Sequence, residues 1–187
     1  VFSFTRWPGL MPLNFSAVYA LAFCGGVYFP GKWKWIMPLG SILLTDLVLN
    51  SYYGVSLITL TTIINLAVMA VLVFVGSRFN SRSSFLSLLS GGILGAVIFY
   101  LLTNTASWLS LPDYQKNLQG WFQAMTSGVP GWPPTWTFFK NTLLSGGLFT
   151  GLFAGAMKLS EAAEEKEEKE ESEEAEGETA QPEQASA

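Results

Sequence analysis

An all-α, polytopic bundle of transmembrane helices is the architecture expected from this sequence, on three grounds. Half of the 187 residues are apolar and only 13% are charged. The charges are segregated: residues 1–160 hold eight basic and two acidic side chains, whereas residues 161–187 hold twelve Glu and two Lys. Between short charged or proline-rich connections, uncharged apolar runs recur at lengths suited to helices that cross a bilayer. A water-soluble domain ordinarily has about a quarter of its residues charged. Residues 1–160 are therefore expected as one membrane domain, and the formal charge of −4 belongs to a Glu-rich tail, 161–187, on a basic body.

The first span is expected over 14–29, because Pro8 and Pro12 delay helix formation and Lys32 and Lys34 close the connection that follows. The second, 33–50, carries Asp46, and Gly54 separates it from the third, 56–75. After Arg78 and Arg82 the fourth span, 84–107, is free of charge. Residues 117–129 contain Gln119 and Gln123; at 1.5 Å per residue they reach only about 20 Å, short of a hydrocarbon core of roughly 30 Å. They are read as a partial or re-entrant helix rather than a crossing. Pro130, Gly131, Pro133 and Pro134 then break the chain before a fifth span, 135–159. The tail is expected to prolong that helix by a turn or two, aided by Glu165 and Lys169 at i,i+4. Beyond Glu176 it is expected to be disordered, since nothing apolar remains to offset the ordering entropy. Residues 1–6 read like the end of an apolar segment, so a further helix upstream is expected.

Orientation follows from the basic connections. Two crossings separate Lys32 and Lys34 from Arg78 and Arg82, so both pairs share a face, which the positive-inside rule assigns to the cytoplasm. Trp33 and Trp35 then lie at the inner interface, and Tyr52, Tyr53, Trp108, Trp132 and Trp136 at the outer one. With 117–129 only partly inserted, the last helix runs inward and the tail is cytoplasmic. The location expected is a membrane, with the tail on its cytoplasmic side.

Composition removes most enzymatic chemistries. There is no His, the usual general base and metal ligand, and one Cys, so no disulfide or thiolate cluster. Phosphate-binding glycine motifs are absent, as is a basic aromatic stripe for nucleic acid. No enzyme, cofactor, metal site or nucleic-acid partner is expected.

Polar side chains within the spans supply a candidate site. Counting helical rise from the inner charges, Asp46 lies at a depth of about 18 Å, Asn50 about 24 Å, Asn14 about 27 Å, Asn104 about 33 Å, and Lys140 and Asn141 about 26 Å. All gather in the outer half, near Trp108. Asp46 is the sharpest member, because a carboxylate at that depth must be paired, hydrated or protonated; Lys140 is the counter-charge proposed for it. The competing reading makes Asp46 an interhelical salt bridge and the asparagines helix-to-helix hydrogen bonds, with Asn65 assigned to helix contacts and Lys140 snorkelling outward. Small residues at four-residue spacing form three stripes, Ala22 and Gly26, Ser87 with Gly91 and Gly95, and Gly147 with Gly151 and Gly155. Each suits close helix contact or docking onto a membrane partner.

Several stretches resemble a DUF6580-like family of small, functionally uncharacterised bacterial integral membrane proteins: 12–29 (PLNFSAVYALAFCGGVYF), 44–47 (LTDL), 99–104 (FYLLTN) followed by Trp108, and 138–144 (FFKNTLL). The likeness covers nearly all of the apolar body and stops at the tail. That family is in turn similar to the S components of energy-coupling-factor (ECF) transporters. The resemblance implies a six-helix bundle that captures a vitamin or a metal ion near the outer face, delivered with the help of a transmembrane coupling subunit and two ATPases. On that reading the Ala22 and Gly26 face stands in for the coupling surface. Relatives carry a His beside the proline-rich approach to the first span and an acidic residue near Gly146; this chain has neither, which disfavours a metal or cationic ligand and leaves a neutral, aromatic or weakly polar one. The rival expectation is a structural or assembly subunit in which Asp46, Asn104 and Asn141 only lock helices together.

Overall fold

The computed structural model describes residues 2–179, in which there are seven helices and no strand. They are α1 (Phe2–Arg6), α2 (Val18–Tyr28), α3 (Trp33–Tyr52), α4 (Leu60–Gly76), α5 (Phe85–Ser110), α6 (Leu118–Met125) and α7 (Thr135–Thr179). α2 is central, touching α3, α4, α5 and α7, while α4 lies between α3 and α5, and α7 runs along α5.

Side-chain caps set three of the helix starts. Thr59 and Thr62 form a reciprocal capping box at α4, Ser84 caps α5 through the Ser87 amide, and Asn117 caps α6 through Gly120. α2 begins later than the 14 expected, at Val18, and its first amides are satisfied from elsewhere in the chain. The Ala17 N–H donates to Thr5 Oγ1 at 3.1 Å and the Val18 N–H to Ser16 Oγ at 3.3 Å. A buried helix end must find such partners, and here α1 provides one of them.

Glycines let helix backbones meet. A Cβ on Gly26 would stand 2.2 Å from the Val73 carbonyl oxygen, and one on Gly76 2.0 Å from that of Phe23, so α2 and α4, which run parallel with both their first turns at the cavity, meet in direct backbone contact. Between α5 and α7 the tight contacts are Gly92 under Thr150 and Gly146 against Ala96. Of the expected stripes, Ala22 and Gly26 are buried in the α2 contacts and Gly91 and Gly95 in those of α5, whereas Ser87 is exposed. Gly147, Gly151 and Gly155 leave ordinary van der Waals spacing to Ile93, Leu89 and Phe85, so the intimate seam lies one residue from the stripe.

The direction of each helix follows from these contacts. Lys158 Nζ donates to the Ser81 carbonyl at 2.6 Å, which sets that part of α7 beside the α4–α5 turn with Arg78 and Arg82. At the opposite end the Asn141 amide donates to the Leu13 carbonyl at 2.8 Å. α6 stays at this second end: its Trp121 indole donates to Thr105 at 3.1 Å, and the Tyr100 hydroxyl donates to the Met125 carbonyl.

Two helices, α5 and α7, are long and apolar enough to cross a membrane; α2 and α4 are apolar but have only 11 and 17 residues. α3 has 20 residues but includes Lys34 and Asp46. Five crossings are thus more than length and apolarity establish. α7 also extends well beyond the turn or two expected past Leu159, remaining helical to Thr179. Its Glu, Lys and Ala residues are strong helix formers, and among the described residues the i,i+4 ion pair is Lys166 with Glu170 at 3.3 Å. The disorder expected after Glu176 falls for 180–187 outside the described residues.

Candidate functional site

Where α1, the 7–16 connection and the ends of α3, α4, α5 and α7 converge, the bundle holds a cavity of about 480 Å³. Its wall is built from Thr5, Arg6 and Asn14 on the N-terminal side, Thr61 and Asn65 on α4, Thr103, Asn104 and Ser107 on α5, and Phe138 on α7. Aromatic rings fill the spaces between these polar groups. Tyr19 and Phe99 meet in the wall with ring centroids 4.6 Å apart. A second cavity, about 330 Å³, lies between α4 and α5 and shares Thr61, Asn65, Thr103 and Ser107 with the first, so the two adjoin. Both volumes fall in the range of small-molecule sites.

Asp46 is buried as expected for a deep carboxylate, but its partner is Arg6. One guanidinium nitrogen pairs with Asp46 Oδ1 and the other donates to Thr45 Oγ1 at 2.6 Å and to the Ile42 carbonyl at 3.3 Å. Lys140, the counter-charge expected from sequence, is exposed and forms no ion pair among the described residues. Depth along the helices placed Lys140 near Asp46, but depth carries no azimuth, and α7 is not among the helices that α3 packs against. Arg6 went unassigned because it precedes the first span. Asp46 is not in the cavity wall, whereas Arg6 is.

The asparagines divide into two groups. Asn50 donates to the Leu57 carbonyl at 2.8 Å and Thr62 at 3.1 Å, tying the end of α3 to the start of α4. Asn141 anchors α7 to the 7–16 connection through Leu13. Trp108 donates its indole N–H to the Gln115 carbonyl at 2.8 Å and so closes the turn after α5. None of these three lines the cavity. Asn14 and Asn104 do, and so does Asn65, which sequence reasoning assigned to helix contacts. Asn14 sits at φ 60°, a left-handed conformation that Asn tolerates better than most residues, and its carbonyl accepts from the Tyr19 hydroxyl at 3.1 Å. Asn104 donates to the Tyr100 carbonyl one turn back at 2.8 Å, leaving its amide oxygen unused. Rise along a helix could not single out Asn65, because its importance comes from facing the gap between α4 and α5.

No group of three or more metal-ligating side chains occurs among the described residues.

The chain is thus an all-helical protein whose helices close around a cavity with a mixed polar and aromatic wall. It belongs to the family of unknown function DUF6580, whose family model matches residues 1–169. Neither the curated proteins nor the solved structures contain a match to it.

Proposed function

We propose that this chain is a five-span integral membrane protein of the bacterial inner membrane that captures a small molecule from the outer face, as the substrate-binding subunit of an uptake transporter of the ECF type. The single observation that carries this reading is the cavity at the Asn14 and Asn104 end of the bundle. Its membrane setting is supported by the outward faces of the helices, where Leu44, Leu86 and Leu152 are each at least 60% exposed; apolar surface on that scale calls for lipid or a partner. The basic end, with Arg78, Arg82 and Lys158, then faces the cytoplasm and the cavity faces outward. A transmembrane coupling subunit and ATPases would supply the energy, since the chain has no nucleotide-binding motif of its own. Asn104→Ala separates capture from a purely structural role. In a thermal-shift screen of vitamins, nucleobases and small metabolites against detergent-solubilised protein, a capture subunit gives a ligand-dependent rise in Tm that this variant loses while keeping its ligand-free Tm. A fall in ligand-free Tm with no ligand response from either protein marks a structural subunit.

A further inference from the structure

The unused hydrogen-bonding groups of the cavity define what fits it. The sequence has seven asparagines. Five use their side chains in hydrogen bonds: Asn50, Asn80, Asn104, Asn117 and Asn141. The two whose amides take no partner among the described residues, Asn14 and Asn65, both line the cavity. Asn65 lies five residues inside α4 and also borders the adjoining α4–α5 space. A primary amide offers two donors and a two-lone-pair acceptor; Asn65 is half-buried and Asn14 exposed, so both amides stay free to meet a ligand. Asn104 adds its free oxygen from α5.

The wall is also electrically neutral. Among the described residues, Arg6 is the one charged side chain that lines the cavity, and its guanidinium is engaged by Asp46, Thr45 and the Ile42 carbonyl. An ion entering would lose its hydration with no counter-charge waiting. Flat rings, Tyr19, Phe99 and Phe138 among them, offer faces on which a planar group can lie.

We infer that the ligand is a neutral, planar heterocycle with adjacent N–H and C=O groups, a lactam or carboxamide, whose donor–acceptor edge is read by Asn65 and Asn104. This rests on the capture reading proposed above and narrows it to a substrate class. Neutrality and edge recognition are tested together with matched probes: uracil against orotate, and nicotinamide against nicotinate, titrated calorimetrically into the protein in nanodiscs. At least one neutral member of the two pairs binds, and its carboxylate counterpart binds at least tenfold more weakly. Asn65→Ala lowers that affinity about tenfold, the loss expected when one hydrogen bond to the ligand disappears. Asn80→Ala, at the opposite end of the bundle, leaves it unchanged, and circular dichroism melting shows both variants folded. Carboxylates that bind as tightly as the neutral probes, with binding lost in Asn104→Ala, overturn the neutral class while the cavity stands as a capture site. Neutral-probe binding indifferent to Asn65→Ala overturns the role of that amide. No binding by any of the four probes overturns the inference, and the capture reading falls with it only when the wider thermal-shift screen is silent as well.

Discussion

Arg6 and Asp46 lie forty residues apart yet form the buried ion pair that ties α1 to α3, with side-chain exposures of 16% and 7%. Each charge is tolerable there because the other is present, and Thr45 and the Ile42 carbonyl also accept from the guanidinium. Removing one partner leaves the other buried and uncompensated, whereas replacing both with apolar residues removes the problem along with the pair. Arg6→Met is therefore expected to destabilise the fold by about 3 kcal/mol or more, seen as a fall in Tm in detergent. The Arg6→Met/Asp46→Leu double variant is expected to recover most of that loss. A double variant as unstable as the single one would mean that the pair contributes something an apolar contact cannot replace. That Asp46 would need a partner was legible in its depth along the chain. Which partner it takes was not, because Arg6 precedes every span and reaches Asp46 only through the fold of the 7–16 connection.

Helix positions were the most legible feature of the chain. Charges and prolines bound apolar runs whose limits match α3 to within two residues at its end, and Pro130, Pro133 and Pro134 correctly separate α6 from α7. Small-residue spacing was less informative, because regular repeats of glycine show that one helix face is flat without showing which neighbour meets it. The close crossing of α2 and α4 depends on Gly26 together with Gly76, and Gly76 falls outside every stripe. Gly76→Ala drives a methyl group into the Phe23 carbonyl, so it is expected to cost about 1–3 kcal/mol as overpacking. Gly147→Ala meets Ile93 at 3.7 Å and gains helix propensity, so its effect is expected between neutral and about 1 kcal/mol stabilising. Thermal melts of the two variants side by side check the contrast, and equal losses would place the tight seam wrongly.

The ends of the bundle differ in character. One gathers Arg78, Arg82 and Lys158 around the α4–α5 turn, and the other holds α6, the cavity and the Trp7 to Ser16 connection. If the proposed membrane placement holds, single cysteines at Ser81 and Ser160 in a Cys24→Ala background are labelled by an impermeant maleimide from the cytoplasmic side only. Cysteines at Asp113 and Trp132 are labelled from the opposite side only. Labelling of Ser160 and Asp113 positions from one side would mean that α6 belongs to a full crossing. The cavity itself was only half legible. Its polar members could be counted along the helices, but which amides are spent on neighbouring carbonyls and which stay free is decided by helix rotation.

Thr135 through Thr179 is one uninterrupted helix of 45 residues, about 67 Å long at the usual rise. Its first turns touch the cavity through Phe138 and the Leu13 connection through Asn141, while its Glu-rich portion stands clear of the bundle. A rod of that length acts as a lever. A tilt of about 5° at the cavity would swing the far tip by roughly 6 Å on the same rise, so occupancy at one end would be measurable at the other. Spin labels at Ser81 and Ser172, with distances compared with and without a bound probe, would detect that swing, and an unchanged distance would show that the rod stays fixed.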